Sequence, residues 1–318
     1  MAEQATTESK GQSSICLHAN NDAERRRYTR KARSGTLTRV ARGIYAPAEQ
    51  WEELDDIDRA RNLALVLGLV HPNWVFCLFT AAVLYGLEIG RDNAMPLHVQ
   101  TPRSREATTS EFVRHPLTCT NPGVVEAVHV TPEVQTVIDC LMELPFQRAL
   151  AVADSALRVL KLTKKELTSE LAKRPSGKAK KIAENVIAYA DSCAANGGES
   201  VARAVMIEQG FMVPELQVEM NDPLDPSQKY YADFRWRLSS GDVVGELDGR
   251  DKYVLPEMTG GRDTLDVVID ERHRESRLTA PGVKVMRFTF RDVMDVGRFV
   301  SLLKLYGIPR GVARIMDE

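Results

Sequence analysis

The chain has 318 residues, of which 43% are hydrophobic and 27% charged, and its formal net charge is −2. These values are typical of a globular protein long enough for two domains, and no overall basic field points to a nucleic-acid partner. The first residues contain no secretory signal, no apolar run could span a bilayer, and the five cysteines are widely spaced. We therefore expect a cytoplasmic protein with reduced thiols and no membrane partner.

The chain begins with a polar stretch followed by a strongly basic one. Residues 1–20 predict a disordered tail, and residues 21–50 predict a basic helix over 22–34 and a hairpin over 36–45. Asp22 is the expected N-cap of the helix, and Gly35 its expected end. Basic side chains on both elements would neutralise phosphates, although a solvated basic helix is the alternative interpretation. The candidate nucleic-acid-binding residues are Arg25, Arg26, Arg27, Arg30, Lys31, Arg33, Arg39 and Arg42.

The middle of the chain, residues 51–173, predicts an α+β region without evident chemistry. Expected helices cover 55–68, 79–84, 133–143, 145–158 and 163–173, and expected strands cover 97–101 and 124–130. The histidines in this part lack metal-ligand spacing, so we expect them to be structural. They are His71, His98, His115 and His129. Residues 174–181 combine Pro, Ser, Gly and several lysines, which predicts a linker.

The last part, residues 182–318, alternates helical and strand patterns. Expected helices cover 182–194, 199–209, 263–278 and 292–306, and expected strands cover 213–220, 230–238, 242–248 and 284–290. This order predicts an α/β domain with a mixed sheet flanked by helices.

Acidic side chains lie inside two of these strands, where acids are disfavoured. Asp233 lies in one strand, and Glu246 and Asp248 lie two residues apart in the next, so that they share a face. Because such close like charges repel, a divalent metal, Mg²⁺ or Mn²⁺, is the simplest compensation, and it would suit phosphodiester hydrolysis. Lys252 follows closely as a candidate catalytic cation. The alternative is ordinary exposed acids next to an Asp-Gly turn.

A second basic group lies on the helix expected over 263–278. Arg272, Arg274 and Arg277 could be presented to a phosphate backbone. Glu271 and Glu275 lie at ion-pairing spacing from two of these arginines, so a solvated, salt-bridged face is the alternative.

Ordered motifs extend over about a third of the chain, from residue 199 to about 306. They are Glu199-Ser200, Gly210-Phe211, 214–218, Asp233-Phe234, 246–249, Lys252-Tyr253, 271–278 and 283–288. This series resembles the PD-(D/E)XK nuclease superfamily, in particular the small bacterial domains similar to very-short-patch-repair endonucleases. The resemblance implies a restriction-endonuclease-like fold with metal-binding acids Asp233 and Glu246, and with Glu199 supporting the metal through water. Asp248 lies where the commonest family pattern has its catalytic lysine.

Other motifs in the first two-thirds of the chain resemble AbiEi-type antitoxins and transcriptional regulators. They are the basic helix before Gly35, the hairpin 37–45, and residues 79–87, 97–99 and 130–132. This resemblance implies a winged-helix-like segment over 21–50, a regulatory α+β domain over 51–173, and a cognate toxin or defence-system partner.

Two functional hypotheses follow. The first is a metal-dependent DNA endonuclease with an N-terminal DNA-binding or regulatory region, acting in phage defence or DNA repair. The alternative is an AbiEi-like antitoxin or transcriptional repressor that binds DNA and whose nuclease-like domain, residues 182–318, does not cut. The sequence makes no prediction of oligomeric state.

Overall fold

The computed structural model describes residues 14–101, 107–108, 110–221, 229–248 and 282–311. The chain divides into two compact units, Met1–Cys140 and Leu141–Glu318. Both contain helices and a mixed sheet, which confirms the predicted α/β class. Among the described residues, no helix is both long and apolar enough to cross a membrane.

The first unit begins with a small antiparallel sheet and a basic helix. Its elements are β1 (Leu17–His18), α1 (Asp22–Arg33), β2 (Leu37–Ala41) and β3 (Ile44–Pro47), and the sheet order is β1-β3-β2. The predicted helix and hairpin are confirmed. The N-cap of α1 is Asn21 rather than Asp22, because the Asn21 side chain accepts a hydrogen bond from Glu24 N. Gly43 lies in the hairpin turn with a φ of 79°, in the left-handed region that glycine adopts easily.

The predicted disordered tail extends too far into the chain. Residues 14–20 are folded, because Cys16 and Ala19 are buried and β1 pairs with β3. Residues 1–13 lie outside the described residues.

The rest of the first unit surrounds a six-stranded mixed sheet of order β6-β7-β5-β4-β9-β8. Its elements are α2 (Ala48–Glu53), α3 (Asp56–Val70), β4 (Val75–Phe76), α4 (Leu78–Leu84), β5 (Leu97–Thr101), β6 (Ala107–Thr108), β7 (Phe112–Pro116), β8 (Gly123–Val125), β9 (Val128–Val130) and α5 (Glu133–Glu143). The single strand expected over 124–130 is instead the hairpin β8–β9. It turns at Glu126 and Ala127, which both have positive φ, as in a type I′ turn.

Four helices precede the sheet of the second unit. They are α6 (Phe146–Val159), α7 (Lys164–Ala172), α8 (Lys178–Tyr189) and α9 (Gly197–Glu208). The predicted linker 174–181 is not a boundary between compact units, because α6 packs against both α8 and α9 and the units divide at Cys140 instead. Half of the predicted linker is the first turn of α8.

The sheet of the second unit has the order β10-β11-β12-β13. Its strands are β10 (Glu215–Asn221), β11 (Lys229–Leu238), β12 (Gly241–Asp248) and β13 (Lys284–Thr289), and α10 (Phe290–Met294) and α11 (Val296–Leu305) follow. The first three strands are antiparallel neighbours, whereas β13 runs parallel to β12. The single helix expected over 292–306 is divided at Asp295, whose side chain caps α11. The helix expected over 263–278 lies outside the described residues.

Strand alternation in this sheet separates a core face from a polar face. Ala232, Phe234 and Trp236 on β11 are almost completely buried, and they alternate with Asp233 and Arg235. The core face packs against apolar side chains of α9 and α11. This alternation directs the acids of β11 and β12 away from the core.

Candidate functional site

Glu199 is the most deeply buried of the predicted site acids, with 3% of its surface exposed. It lies in the first turn of α9, where Asn196 caps the helix by accepting a hydrogen bond from Glu199 N at 3.0 Å. In return, the Glu199 carboxylate accepts hydrogen bonds from Ala195 N at 2.8 Å and from Asn196 Nδ2 at 2.7 Å. The segment preceding α9 therefore fixes the orientation of this carboxylate.

Gln217 connects Glu199 to the sheet. Its Nε2 donates to Glu199 Oε2 and to Asp233 Oδ1, each at 3.1 Å. The Gln217 backbone has a φ of 47°, a left-handed conformation that costs a residue with a side chain about 1–2 kcal/mol. Such outliers persist where the surrounding structure determines them and are frequent at functional sites. Gln217 lies within the motif 214–218 but was not among the predicted site residues, because a glutamine in a strand does not by itself indicate a site.

Asp233 and Glu246 lie opposite each other at the point where the β11–β12 pairing ends. The last paired residues there are Phe234 and Gly245, and the register continued by one step brings Asp233 opposite Glu246. The side chain of Asp233 continues the connection, because its Oδ2 accepts a hydrogen bond from Leu247 N at 2.9 Å.

Asp248 has a cationic partner on the neighbouring parallel strand. Arg287 Nη1 lies 3.1 Å from Asp248 Oδ1, and the side chains are 25% and 32% exposed, respectively. In the β12–β13 ladder, Arg287 is the Cα partner of Glu246. The guanidinium therefore places positive charge beside the acids. Arg287 lies in a predicted strand but was not among the predicted site residues.

The electrostatic surroundings of Glu199 disfavour its ionised form. Burial raises the pKa of Glu199, and the neighbouring charge of Asp233 raises it further, whereas the hydrogen bonds from Ala195 N and Gln217 lower it. Carboxylates held this close repel each other unless a proton or a cation lies between them.

The carboxylate oxygens of this cluster are ligands of the type that a divalent cation binds. Mg²⁺ prefers oxygen ligands and is usually held by one or two carboxylates, with water and substrate phosphates as its other ligands. Asp233 and Glu246 offer such a pair. Among the described residues, no group of three or more His, Cys, Asp or Glu side chains could hold a metal ion.

Arg203, one turn after Glu199 on α9, does not belong to this acidic cluster but forms an ion pair with Asp154. Its Nη2 donates to both carboxylate oxygens of Asp154 on α6, at 2.8 and 2.7 Å, and its Nη1 donates to Tyr189 O at 2.8 Å. Both side chains of this ion pair are at most 3% exposed. The sequence did not reveal the pair, because its members are 49 residues apart.

The structure describes some of the predicted basic residues but not others. All eight candidates of the first unit have exposed side chains on or next to α1 and β2. Lys252, Arg272, Arg274 and Arg277 lie outside the described residues.

Two of the histidines that were predicted to be structural, His98 and His115, lie side by side in the first unit. His98 Nδ1 and His115 Nε2 are 3.1 Å apart on the neighbouring strands β5 and β7. Burial, together with His115, lowers the pKa of His98 to about 4. Near neutral pH, the pair therefore includes an uncharged imidazole.

The chain is similar to two uncharacterized proteins of Mycobacterium tuberculosis, from strains CDC 1551 / Oshkosh and ATCC 25618 / H37Rv. Each is 29% identical over 261 residues, which cover 79% of this chain and 92% of the relative. Because this alignment is longer than either compact unit, it must include parts of both. No family model matches the sequence, and no solved structure matches it.

Proposed function

We propose that this protein is a nuclease that hydrolyses DNA phosphodiester bonds with the help of Mg²⁺ or Mn²⁺. The observation that carries the proposal is the acidic cluster in which Gln217 joins Glu199 to Asp233, with Glu246 opposite Asp233. The element order supports it, because α9, the mixed sheet β10–β13 and the helices that follow correspond to the mixed sheet flanked by helices that is expected of this domain.

Each residue of the cluster has a distinct role in this proposal. Asp233 and Glu246 hold the metal, which when bound would lower the pKa of a water molecule and stabilise charge on the phosphate. Glu199 and Gln217 fix the position of Asp233 through the shared amide. Arg287 balances Asp248 and brings a cation to the place where substrate charge would accumulate.

Contact with the substrate backbone is proposed for the basic surface of the first unit. The exposed arginines and lysines of α1 and β2 would neutralise DNA phosphates, so that affinity would fall as salt is raised. Helix α1 followed by the β2–β3 hairpin has the order that a groove contact and a wing contact require.

The test is the nicking of supercoiled plasmid by purified full-length protein with Mg²⁺, with Mn²⁺ and with EDTA. We expect metal-dependent nicking that disappears in Glu246→Gln and Asp233→Asn prepared by the same purification. Glu246→Gln keeps the size of the side chain, and its preparation also controls for contaminating nucleases. Absence of metal-dependent nicking by the wild type, or equal nicking by Glu246→Gln, would contradict the proposal.

The second candidate is a DNA-binding repressor of the AbiEi type whose nuclease-like domain does not cut, paired with a cognate toxin or another defence partner. The observation favouring it is that Asp248, at the position of the family's lysine, is an acid paired with Arg287. Tight binding to DNA upstream of its own gene without metal-dependent nicking would support this candidate. So would an adjacent gene for a nucleotidyltransferase-like toxin.

A further inference from the structure

A strongly basic helical hairpin precedes the acidic cluster in the second unit. We call residues 161–181, which include α7 and the first turn of α8, the basic hairpin. It contains eight basic residues and two acids, Glu166 and Glu170, in a protein whose total net charge is −2. The basic residues are Lys161, Lys164, Lys165, Lys173, Arg174, Lys178, Lys180 and Lys181.

The fold holds this hairpin in a defined shape. Leu167 and Leu171 bury the inner face of α7, and Thr163 closes its start with a capping box. Two lysines brace the hairpin at opposite ends. Lys164 Nζ donates to Ala188 O at 2.8 Å, and Lys180 Nζ donates to Ala172 O at 3.3 Å and to Arg174 O at 3.0 Å. The charges are therefore carried by a packed scaffold, so that binding a ligand would order little additional chain.

Most of this positive charge is not neutralised by nearby carboxylates. Glu170 pairs with Lys173 at 2.6 Å and approaches Arg174 at 3.9 Å. Four other exposed lysines form no ion pair in the part of the chain that the structure describes. They are Lys161, Lys165, Lys178 and Lys181. A protein that concentrates unpaired cations in one short segment, against a negative remainder, presents a surface for a polyanion.

We propose that the basic hairpin binds the phosphodiester backbone of a nucleic-acid duplex. This inference rests on the proposed function, since it supplies the second unit with its own contact to the substrate. A backbone is favoured over an anionic membrane because the described exposed large hydrophobic side chains all lie outside residues 161–181. A membrane-binding surface normally combines basic residues with such side chains.

The experiment measures fluorescence anisotropy of labelled duplex DNA and duplex RNA with full-length protein in EDTA, over a series of salt concentrations. The variant is K165Q/K178Q/K181Q, and the control is K284Q/R291Q/K304Q, which removes three exposed basic side chains elsewhere in the same unit. The salt dependence is the slope of the logarithm of the association constant against the logarithm of the salt concentration. Each lost phosphate contact lowers the size of this slope by about 0.9. We therefore expect the hairpin variant to lose up to about 2.7 of the slope on any DNA sequence, and the control almost none.

An unchanged slope in the hairpin variant, or an equal loss in the control, would overturn the inference. A change with duplex RNA alone would overturn DNA as the ligand. The same proteins are also sedimented with phosphatidylserine vesicles, and a loss of binding to the vesicles alone would overturn the inference and assign the surface to membranes. Changes with both duplexes support recognition of the shared backbone. Because binding is measured in EDTA, the hairpin result does not depend on nicking, so failure of this inference is distinguishable from failure of the proposed function.

Discussion

Helix α9 carries two buried ionisable side chains one turn apart, Glu199 and Arg203, and their electrostatic surroundings differ. Arg203 meets the carboxylate of Asp154 with two hydrogen bonds, and both side chains are almost inaccessible to solvent. Among the described residues, Glu199 accepts hydrogen bonds from amide groups and pairs with no cation, and burial and the acid Asp233 raise its pKa, although Arg158 lowers it from a distance. The charge of Arg203 is therefore neutralised by Asp154, whereas Glu199 belongs to a cluster of acids.

This difference separates a structural site from a candidate functional one. A balanced buried pair contributes to stability only while both members remain, because either charge alone would be stranded without water. A cluster of like charges opposes folding, and it becomes favourable only when a cation binds. The two regions should therefore respond differently to substitution and to metal.

The largest effect is expected at the balanced pair. Asp154→Ala leaves the Arg203 guanidinium buried without its carboxylate, which should lower the free energy of unfolding by about 3–5 kcal/mol, measured by urea denaturation. The double variant Asp154→Leu with Arg203→Met removes both charges and should recover part of this loss, although Asp191 N and Tyr189 O then lose their side-chain partners. A cost below about 1 kcal/mol for Asp154→Ala, typical of exposed pairs, would show that the pair is not desolvated as described.

Metal should act on the acidic cluster alone. At a free Mn²⁺ concentration of about 100 times Kd, binding should add about 2.7 kcal/mol to the stability of the wild type. Glu246→Gln should remove this gain, whereas Asp154→Leu with Arg203→Met should keep it. Thermal unfolding with and without Mn²⁺ measures the effect. An equal gain in Glu246→Gln would place the ion elsewhere.

Gln217 should show a smaller effect that depends on its backbone. Both Gln217→Gly and Gln217→Ala remove the shared amide, but only glycine adopts a φ of 47° without strain. The glycine variant should therefore be more stable than the alanine variant by about 1 kcal/mol in urea denaturation. If alanine were the more stable, the left-handed backbone would not be imposed by the surrounding structure.

The smallest effect is expected at the half-exposed pair of Asp248 and Arg287. Asp248→Asn should change the free energy of unfolding by less than about 1 kcal/mol, because solvent and salt screen an accessible pair. Its effect should decrease further in high salt. A loss as large as that of Asp154→Ala would mean that the two ion pairs do not differ in burial.

The sequence was most informative where local chemistry determines structure. Helices with an Asx or Thr cap and apolar periodicity were predicted to within a few residues, as for the helix capped by Thr163. The β8–β9 hairpin was missed because Glu126 and Ala127 take the left-handed conformation without glycine or asparagine. The linker prediction failed because lysines and a glycine also begin α8, and only tertiary packing distinguishes the two cases.

The candidate site shows the same division. Asp233, Glu246 and Asp248 were recognisable because acids are unusual in strands, and in the structure Asp233 and Glu246 are the next residues after the last pair of the β11–β12 ladder. Gln217 and Arg287 carry no such signal, because their importance arises from contacts with residues distant in sequence. A further part of the prediction, Lys252 and the three arginines of the helix expected over 263–278, lies outside the described residues.

The ion pair between α6 and α9 also decides how the second unit can be excised for expression on its own. A fragment starting at residue 182, where the linker prediction would cut, lacks Asp154 and the apolar face of α6, and it leaves Arg203 and the core side of α9 uncovered. We expect such a fragment to aggregate. A fragment starting at Leu141, near the end of α5, keeps both and contains the whole second unit, for crystallisation or metal titration.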